Sequence, residues 1–489
     1  MVKISKILIS HRWLIFITLA VLFMLSNLFL KGHLSKEIYT SGDEPHYLMM
    51  TDSLVRDGDF NLKNDYLLNR AIGSYSLTGI YPHISPAIET AHSDDWYSIH
   101  TIGLPLGMAL PYKIFGLAGA RFLIILLQLL SLVLFYKILK KYIKSDGRVF
   151  LGMVILLSCT FFWQNMGAIM PDLLIVTLVA AAVLLFAKQD RLSNFVFVLV
   201  MAAGMLLHTK AIIILAPIYL GHNIVLIKEW GISQTSKKLG LYYFLLLGAV
   251  FLYASFLKAS YGFYSPTKLY GENGQLFGAN VATNIIAMLF DRAKGLAVYF
   301  PVLLVSGPYI YYGLKDLILV IKQAIQKKSV TTEAVLSLSV ATGVLLLLVA
   351  QIGFTDWSGS FAPAGRYALV AIYAVVFLIA KYFNKNNKLE IGLLAAAVTT
   401  SALMSIAIVY RINIFREMGF VYFDAGADNI ITQKIPLLQN LPIFSPISNQ
   451  SSYHFVRQGF VMLLLLIIFN IVLFYAFSKT GKSKITKKL

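Results

Sequence analysis

The chain of 489 residues is 58% hydrophobic and only 13% charged, with a mean hydropathy of +0.73. A soluble fold of this length has nowhere to hide so much apolar surface, which leaves the bilayer as its solvent. The net charge of +19 does not point to nucleic acid, because the basic residues collect in short stretches between apolar runs, and the lone Cys159 excludes an internal disulfide.

Taken in chain order, apolar runs at about 13–30, 119–139, 149–164, 171–187, 195–207, 210–227, 239–257, 295–314, 333–352, 366–383, 389–409 and 459–477 predict an all-α polytopic membrane protein of about twelve spans, within a range of eleven to thirteen. The run at 195–207 is short for about 30 Å of hydrocarbon, so its true ends lie further out. The first run lacks a small-residue cleavage site and is expected to stay as an anchor. With the amino terminus in the cytoplasm, the stretches 1–12, 140–148, 188–194, 228–238, 315–333, 381–390 and 478–489 all fall on that side. They hold more than half of the 42 lysines and arginines, and only Asp146, Asp190, Glu229, Asp316, Glu333 and Glu390 of the 23 acids. The alternation is self-consistent and predicts a multi-pass plasma-membrane protein with both termini cytoplasmic.

Residues 100–117 are apolar enough to cross, but a span there would invert every later loop. The reading is a juxtamembrane or re-entrant element interrupted by Gly103, Pro105 and Pro111. The first outer loop then runs over 31–118, longer than a connector requires. The chain divides into a membrane module, 1–390, and carboxyl-terminal spans, 391–489, with an outer loop at 410–458 and a basic tail.

The predicted spans carry almost no ionisable residues, whereas a pathway through the bilayer would need them there. Polar chemistry sits in the outer loops instead. "SGDEPHYLMM" opens with Asp43 and Glu44, and Pro45 suits a first helical turn, which makes Glu44 the cap. Glu is not a favoured cap, and a carboxylate beside a desolvated surface suits a general base, so chemistry explains the pair better than capping. His46 belongs to the same stretch. Farther along the loop, His83, His92, Asp94, Asp95 and His100 fit no standard metal-ligand spacing. Cations recur at helix ends: His208 and Lys210, then Arg292 and Lys294 beside Asp291, then Arg366 with Tyr367 beyond Asp356 and Trp357. Any one of them could snorkel to headgroups, but cations converging on acids suit a lipid phosphate.

In this order, "GDEPHYLMMTDSLVRDGDFNLKNDY", "HTIGLPLGMALPYKIFG", "PDLLIVTL", "GMLLHTK", "FDRAKGLAVYFPVLL" and "WSGSFAPAGRY" resemble the GT-C superfamily of membrane glycosyltransferases, the relatives of protein O-mannosyltransferases and aminoarabinose transferases. The likeness covers about residues 10–380. It implies a GT-C fold in which a sugar passes from a polyprenyl-phosphate carrier to a hydroxyl of a lipid, glycan or protein acceptor on the outer face. By that likeness the essential acid is Asp43 or Glu44. Where the aminoarabinose transferases place a cation near the end of the loop, this chain has His100 and Thr101, so Arg366, with His208, Lys210, Arg292 or Lys294, would supply the positive charge. No cofactor is required, though Mg²⁺ or Mn²⁺ at Asp43 and Glu44 is compatible with the scheme. Two rivals are a lipid-linked glycan flippase, favoured by twelve spans, and a glycan polymerase or ligase, favoured by the late loop with Arg411, Arg416, His454 and Arg457.

Overall fold

The computed structural model describes residues 43–67, 71–72, 75–76, 95–165, 167–265, 281–291, 295–326, 331–353, 365–417 and 453–480. The run 13–30, His83, His92, Asp94, Arg292, Lys294, Asp356, Trp357, most of the 410–458 loop and the basic tail lie outside them. The architecture is helical; among the described residues the strands are a two-residue ladder pairing β1 (Ala71–Ile72) with β2 (Tyr75–Ser76). Among the described residues, four helices are long and apolar enough to cross a membrane: α3 (Gly103–Tyr142), α8 (Thr209–Tyr261), α12 (Thr332–Gly353) and the 388–406 part of α14 (Lys388–Glu417). Shorter apolar helices are α6 (Asp172–Leu185), α7 (Arg191–Leu207), α9 (Val281–Phe290) and the 461–477 part of α15 (Tyr453–Thr480). Leu220, Ile224, Phe244, Phe251, Leu345 and Leu464 are each more than half exposed. Water would penalise such a belt, and lipid does not.

Two of the long helices are bent at glycine. In α8, Gly231 adopts φ 76°, ψ 161°, and the chain folds back on itself. Tyr243 donates to Asn223 Oδ1 at 2.6 Å, Thr235 Oγ1 reaches Leu226 O at 3.2 Å, and Lys238 Nζ lies 3.9 Å above the Trp230 ring. The two legs match the runs at 210–227 and 239–257, but the expected loop 228–238 is helical on both sides of one residue. In α3, Gly116 (φ 59°, ψ −146°) separates a leg over 103–115 from one over 117–142. This corrects the expected breakers. Pro105 falls in the first turn, where its missing N–H costs nothing, and Pro111 is absorbed within the short leg. Gly119 completes the bend, since a Cβ there would lie 2.0 Å from the Pro111 carbonyl oxygen.

Other boundaries also move. α7 begins at Arg191, where Asp190 accepts from the Ser193 N–H at 2.8 Å, so the short run gains a capped turn. The run at 149–164 divides into α4 (Asp146–Leu157) and α5 (Thr160–Gln164). The run at 295–314 is broken further, into α10 (Leu296–Tyr299), a 3₁₀ turn over Pro301–Val305 and α11 (Gly307–Ile325). Pro301 cannot donate to a helix, and the backbone groups left over find side chains. Tyr299 O accepts from Thr160 Oγ1 at 2.6 Å, and Asn470 both accepts from Gly307 N and donates to Leu304 O.

The helices alternate between two polar ends. At one end Arg148 donates to the Lys381 carbonyl, Lys381 pairs with Asp316, Trp230 donates to Gln189, and His222 accepts from Ala187 N–H while meeting Asn194. α13 (Leu369–Tyr382) joins the two ends and packs Tyr373 edge-on against Phe135, with ring centroids 4.9 Å apart. The opposite end holds Asp43, His100, Asp172, His208 and Arg366. Gly231→Ala should lower the thermal midpoint in detergent, since the left-handed backbone costs on the order of 1–3 kcal/mol once a Cβ is present. Gly240→Ala, with equally open surroundings and no positive φ, should leave the midpoint unchanged or raise it.

Candidate active site

The site is assembled from five separate parts of the chain. α1 (Glu44–Arg56) begins after Asp43, with Pro45 in its first turn. Asp43, not Glu44, is the N-cap residue, and its carboxylate makes no capping bond. It reaches across instead: Arg366 Nη1 donates to Asp43 Oδ2 at 2.7 Å, and His100 Nε2 stands 3.9 Å from Asp43 Oδ1. The carboxylate is 22% exposed and the guanidinium 6%, so the pair opens to the outside on the acid side only. The neighbouring carboxylate turns the other way. Glu44 Oε1 accepts the Ile169 N–H at 2.8 Å and is buried, so its described bond anchors the stretch between α5 and α6.

Arg366 owes its position to Gly365. That glycine adopts φ 64°, and a Cβ on it would lie 2.5 Å from the Phe161 ring. The 3₁₀ turn Arg366–Ala368 that follows presents the guanidinium to three further groups: Met170 Sδ at 3.2 Å, Tyr367 Oη at 2.6 Å and the Tyr367 ring, 4.6 Å from Cζ. Lys210 Nζ lies 3.0 Å from the centroid of that same ring and 3.9 Å from Asp172 Oδ1. A lysine in the first turn of a helix opposes the helix dipole, so Asp172 and the ring must hold it there. Asp172, buried in the first turn of α6, is on the favourable end of its own helix.

His208 caps α8, its Nδ1 taking the Lys210 N–H at 3.2 Å, so its proton sits on Nε2. Burial pushes its basicity well down, and the charges of Lys210 and Arg366 add to this. What it offers the described residues is an acceptor at the start of α8. His100 is fixed by its backbone: its N–H donates to Ser98 Oγ, Tyr261 donates to Ser98 O, and Thr101 Oγ1 donates to Leu207 O at 2.5 Å. Its ring stacks on His46 at 5.7 Å and 28°, and His46 Nδ1 meets Tyr66 Oη at 2.8 Å.

Thus Asp43, Glu44, His46, His100, His208, Lys210, Arg366 and Tyr367 come together, and Arg292 and Lys294 lie outside the described residues. Asp95, from the weaker metal set, accepts from Asn61 instead, and no group able to hold a metal ion occurs among the described residues. Sequence reasoning missed Asp172, Met170 and Tyr66. The signal for Asp172 was an acid after Pro171 at the head of an apolar run, which the helix dipole alone also accounts for. No protein family, curated protein or solved structure matches the chain.

An acid and two cations around one tyrosine ring, reached from one polar end, can bind an anion and accept a proton. Asp43→Asn, Arg366→Gln and the double variant should show a coupling of about 1–3 kcal/mol in unfolding free energy. Additive effects in that cycle would mean that the two groups do not interact.

Proposed function

We propose that the protein is an integral membrane glycosyltransferase that moves a monosaccharide from a polyprenyl-phosphate carrier to a hydroxyl of a lipid, glycan or protein acceptor. The observation that carries this reading is the contact between Asp43 and Arg366, which joins a proton acceptor to an anion-binding group 323 residues away. The GT-C resemblance of the outer-loop motifs supports it independently. A site end poor in basic loops, facing an end rich in them, supports an outer-face location with both termini cytoplasmic and about twelve spans.

In this scheme the carrier phosphate displaces the Asp43 carboxylate from Arg366, which releases the acid from a cation that weakens it as a base. The acceptor oxygen then attacks the anomeric carbon, and Asp43 takes its proton. The bond from that carbon to the phosphate oxygen breaks, and the electron pair leaves on the lipid phosphate. Arg366 and Lys210 stabilise the leaving charge in a poorly solvated pocket. One displacement inverts the configuration, so a β-linked donor gives an α-linked product. Glu44 keeps the 169–172 stretch in place through Ile169, which positions Met170 and Asp172.

The transport reading would require charged or polar groups along a central path. Several buried polar groups inside the bundle are instead tied up with neighbours: Ser131 with Tyr373, Thr160 with Ser405, and Gln128 with the backbone of Asn165 and Gly167. Purified wild type in proteoliposomes should transfer a labelled sugar from a polyprenyl-phosphate donor to an acceptor fraction. Asp43→Asn should fall by about 10²–10⁴-fold, the usual worth of a positioned general base. Equal turnover would remove the base assignment, and movement of intact donor between leaflets with no new glycosidic bond would replace transfer by transport.

A further inference from the structure

Resting on the transferase reading, we propose that His100 is the group to which Asp43 passes its proton, so that the acid and the imidazole form a dyad which donor binding brings into play. The two oxygens of Asp43 face different partners: Oδ2 is held by Arg366 at 2.7 Å, and Oδ1 stands 3.9 Å from His100 Nε2. In this arrangement the carboxylate bonds the guanidinium through one oxygen, and its other oxygen faces the imidazole at a distance that a small shift would close. A phosphate that takes Arg366 frees the carboxylate to close on the ring.

The surroundings favour this role over simple packing. A ring that only filled space would not need its backbone tied on both sides, yet Ser98, Tyr261 and the bond from Thr101 to Leu207 fix it, and Gly103 is pressed against the Leu206 carbonyl group. His100 is 6% exposed, and its neighbours are the His46 ring, the Tyr47 ring at 4.8 Å and Asp43. The charged and titratable groups around Asp43 are Arg366 on the 3₁₀ turn, His100 on the loop, Lys210 and His208 at the α7–α8 turn, Asp172 at the head of α6, and Glu44 beside it. An incoming phosphate adds negative charge beside the ring, which favours a proton on it.

The step balances without any further reactant. After the acceptor proton has moved to Asp43, the carboxylic O–H bond breaks and an N–H bond forms on His100, giving carboxylate and imidazolium. The imidazolium returns its proton to water as the lipid phosphate departs, and Asp43 closes on Arg366 again.

The test compares wild type, His100→Gln, His100→Asn and His100→Ala in nanodiscs, with a polyprenyl-phosphate sugar as donor. His100→Gln should lower kcat on the order of 10²-fold, the lower end of what positioned proton transfer contributes, with the donor KM little changed. The limb of the kcat–pH profile in the histidine range should vanish, and added imidazole should restore part of the activity of His100→Ala. A wild-type profile with no such limb, or a His100→Asn enzyme that keeps both wild-type kcat and its profile, overturns the dyad while leaving the transferase reading intact. A wild type that transfers no sugar removes the transferase reading and the dyad with it.

Discussion

A carboxylate at the head of a loop helix and a guanidinium at the start of a late apolar helix meet at 2.7 Å, and much of the site's order follows from that contact. Arg366 is too buried to be left uncompensated, because a charge away from water costs several kcal/mol unless it is paired. The pairing brings α1 onto the bundle, and Glu44, one residue on, fastens the 169–172 stretch beside it. Lys210 and Asp172 form a second acid–cation pair at 3.9 Å, and both cations lie against the Tyr367 ring. Positive charge is thus gathered where an anion can replace a carboxylate.

The remainder of the fold obeys a different constraint. In lipid there is little drive to bury apolar side chains against one another, whereas every backbone polar group must find a partner. The irregular stretch from 295 to 306 satisfies that demand with Thr160 and Asn470, and the turn at 186–190 satisfies it with His222 and Asn194. These are positions at which the chain departs from regular helix, and each departure is matched by a side chain from a distant helix.

The sequence made the helical class, the membrane setting and the two-ended charge pattern readable, since these depend on hydropathy and on where lysine and arginine fall. It also exposed Asp43, His100, Lys210 and Arg366 as candidates, because ionisable residues stand out against apolar runs. What it hid was geometry at glycine. Gly231 and Gly116 each carry a reversal or bend that composition alone could not assign, so a loop was expected at 228–238 and breaks at Pro105 and Pro111. The capping role was misplaced by one residue for a related reason: Pro45 marks the first turn but does not say whether the preceding turn starts at 43 or 44. Asp172 escaped notice because a single acid at a helix start is already explained by the dipole, until the lysine beside it is seen.

The short leg of α3 sets where Asp43 stands. Leu110, Ile114 and Phe115 of that leg are exposed, whereas Tyr112 donates to Asp52 of α1 at 2.8 Å and Arg56 meets the same oxygen. One face of the leg is therefore apolar and exposed while the other grips the helix that begins after Asp43. Hinged at Gly116, the leg works as a strut: through Tyr112 and Asp52 it fixes where α1, and with it Asp43, stands against the long leg over 117–142.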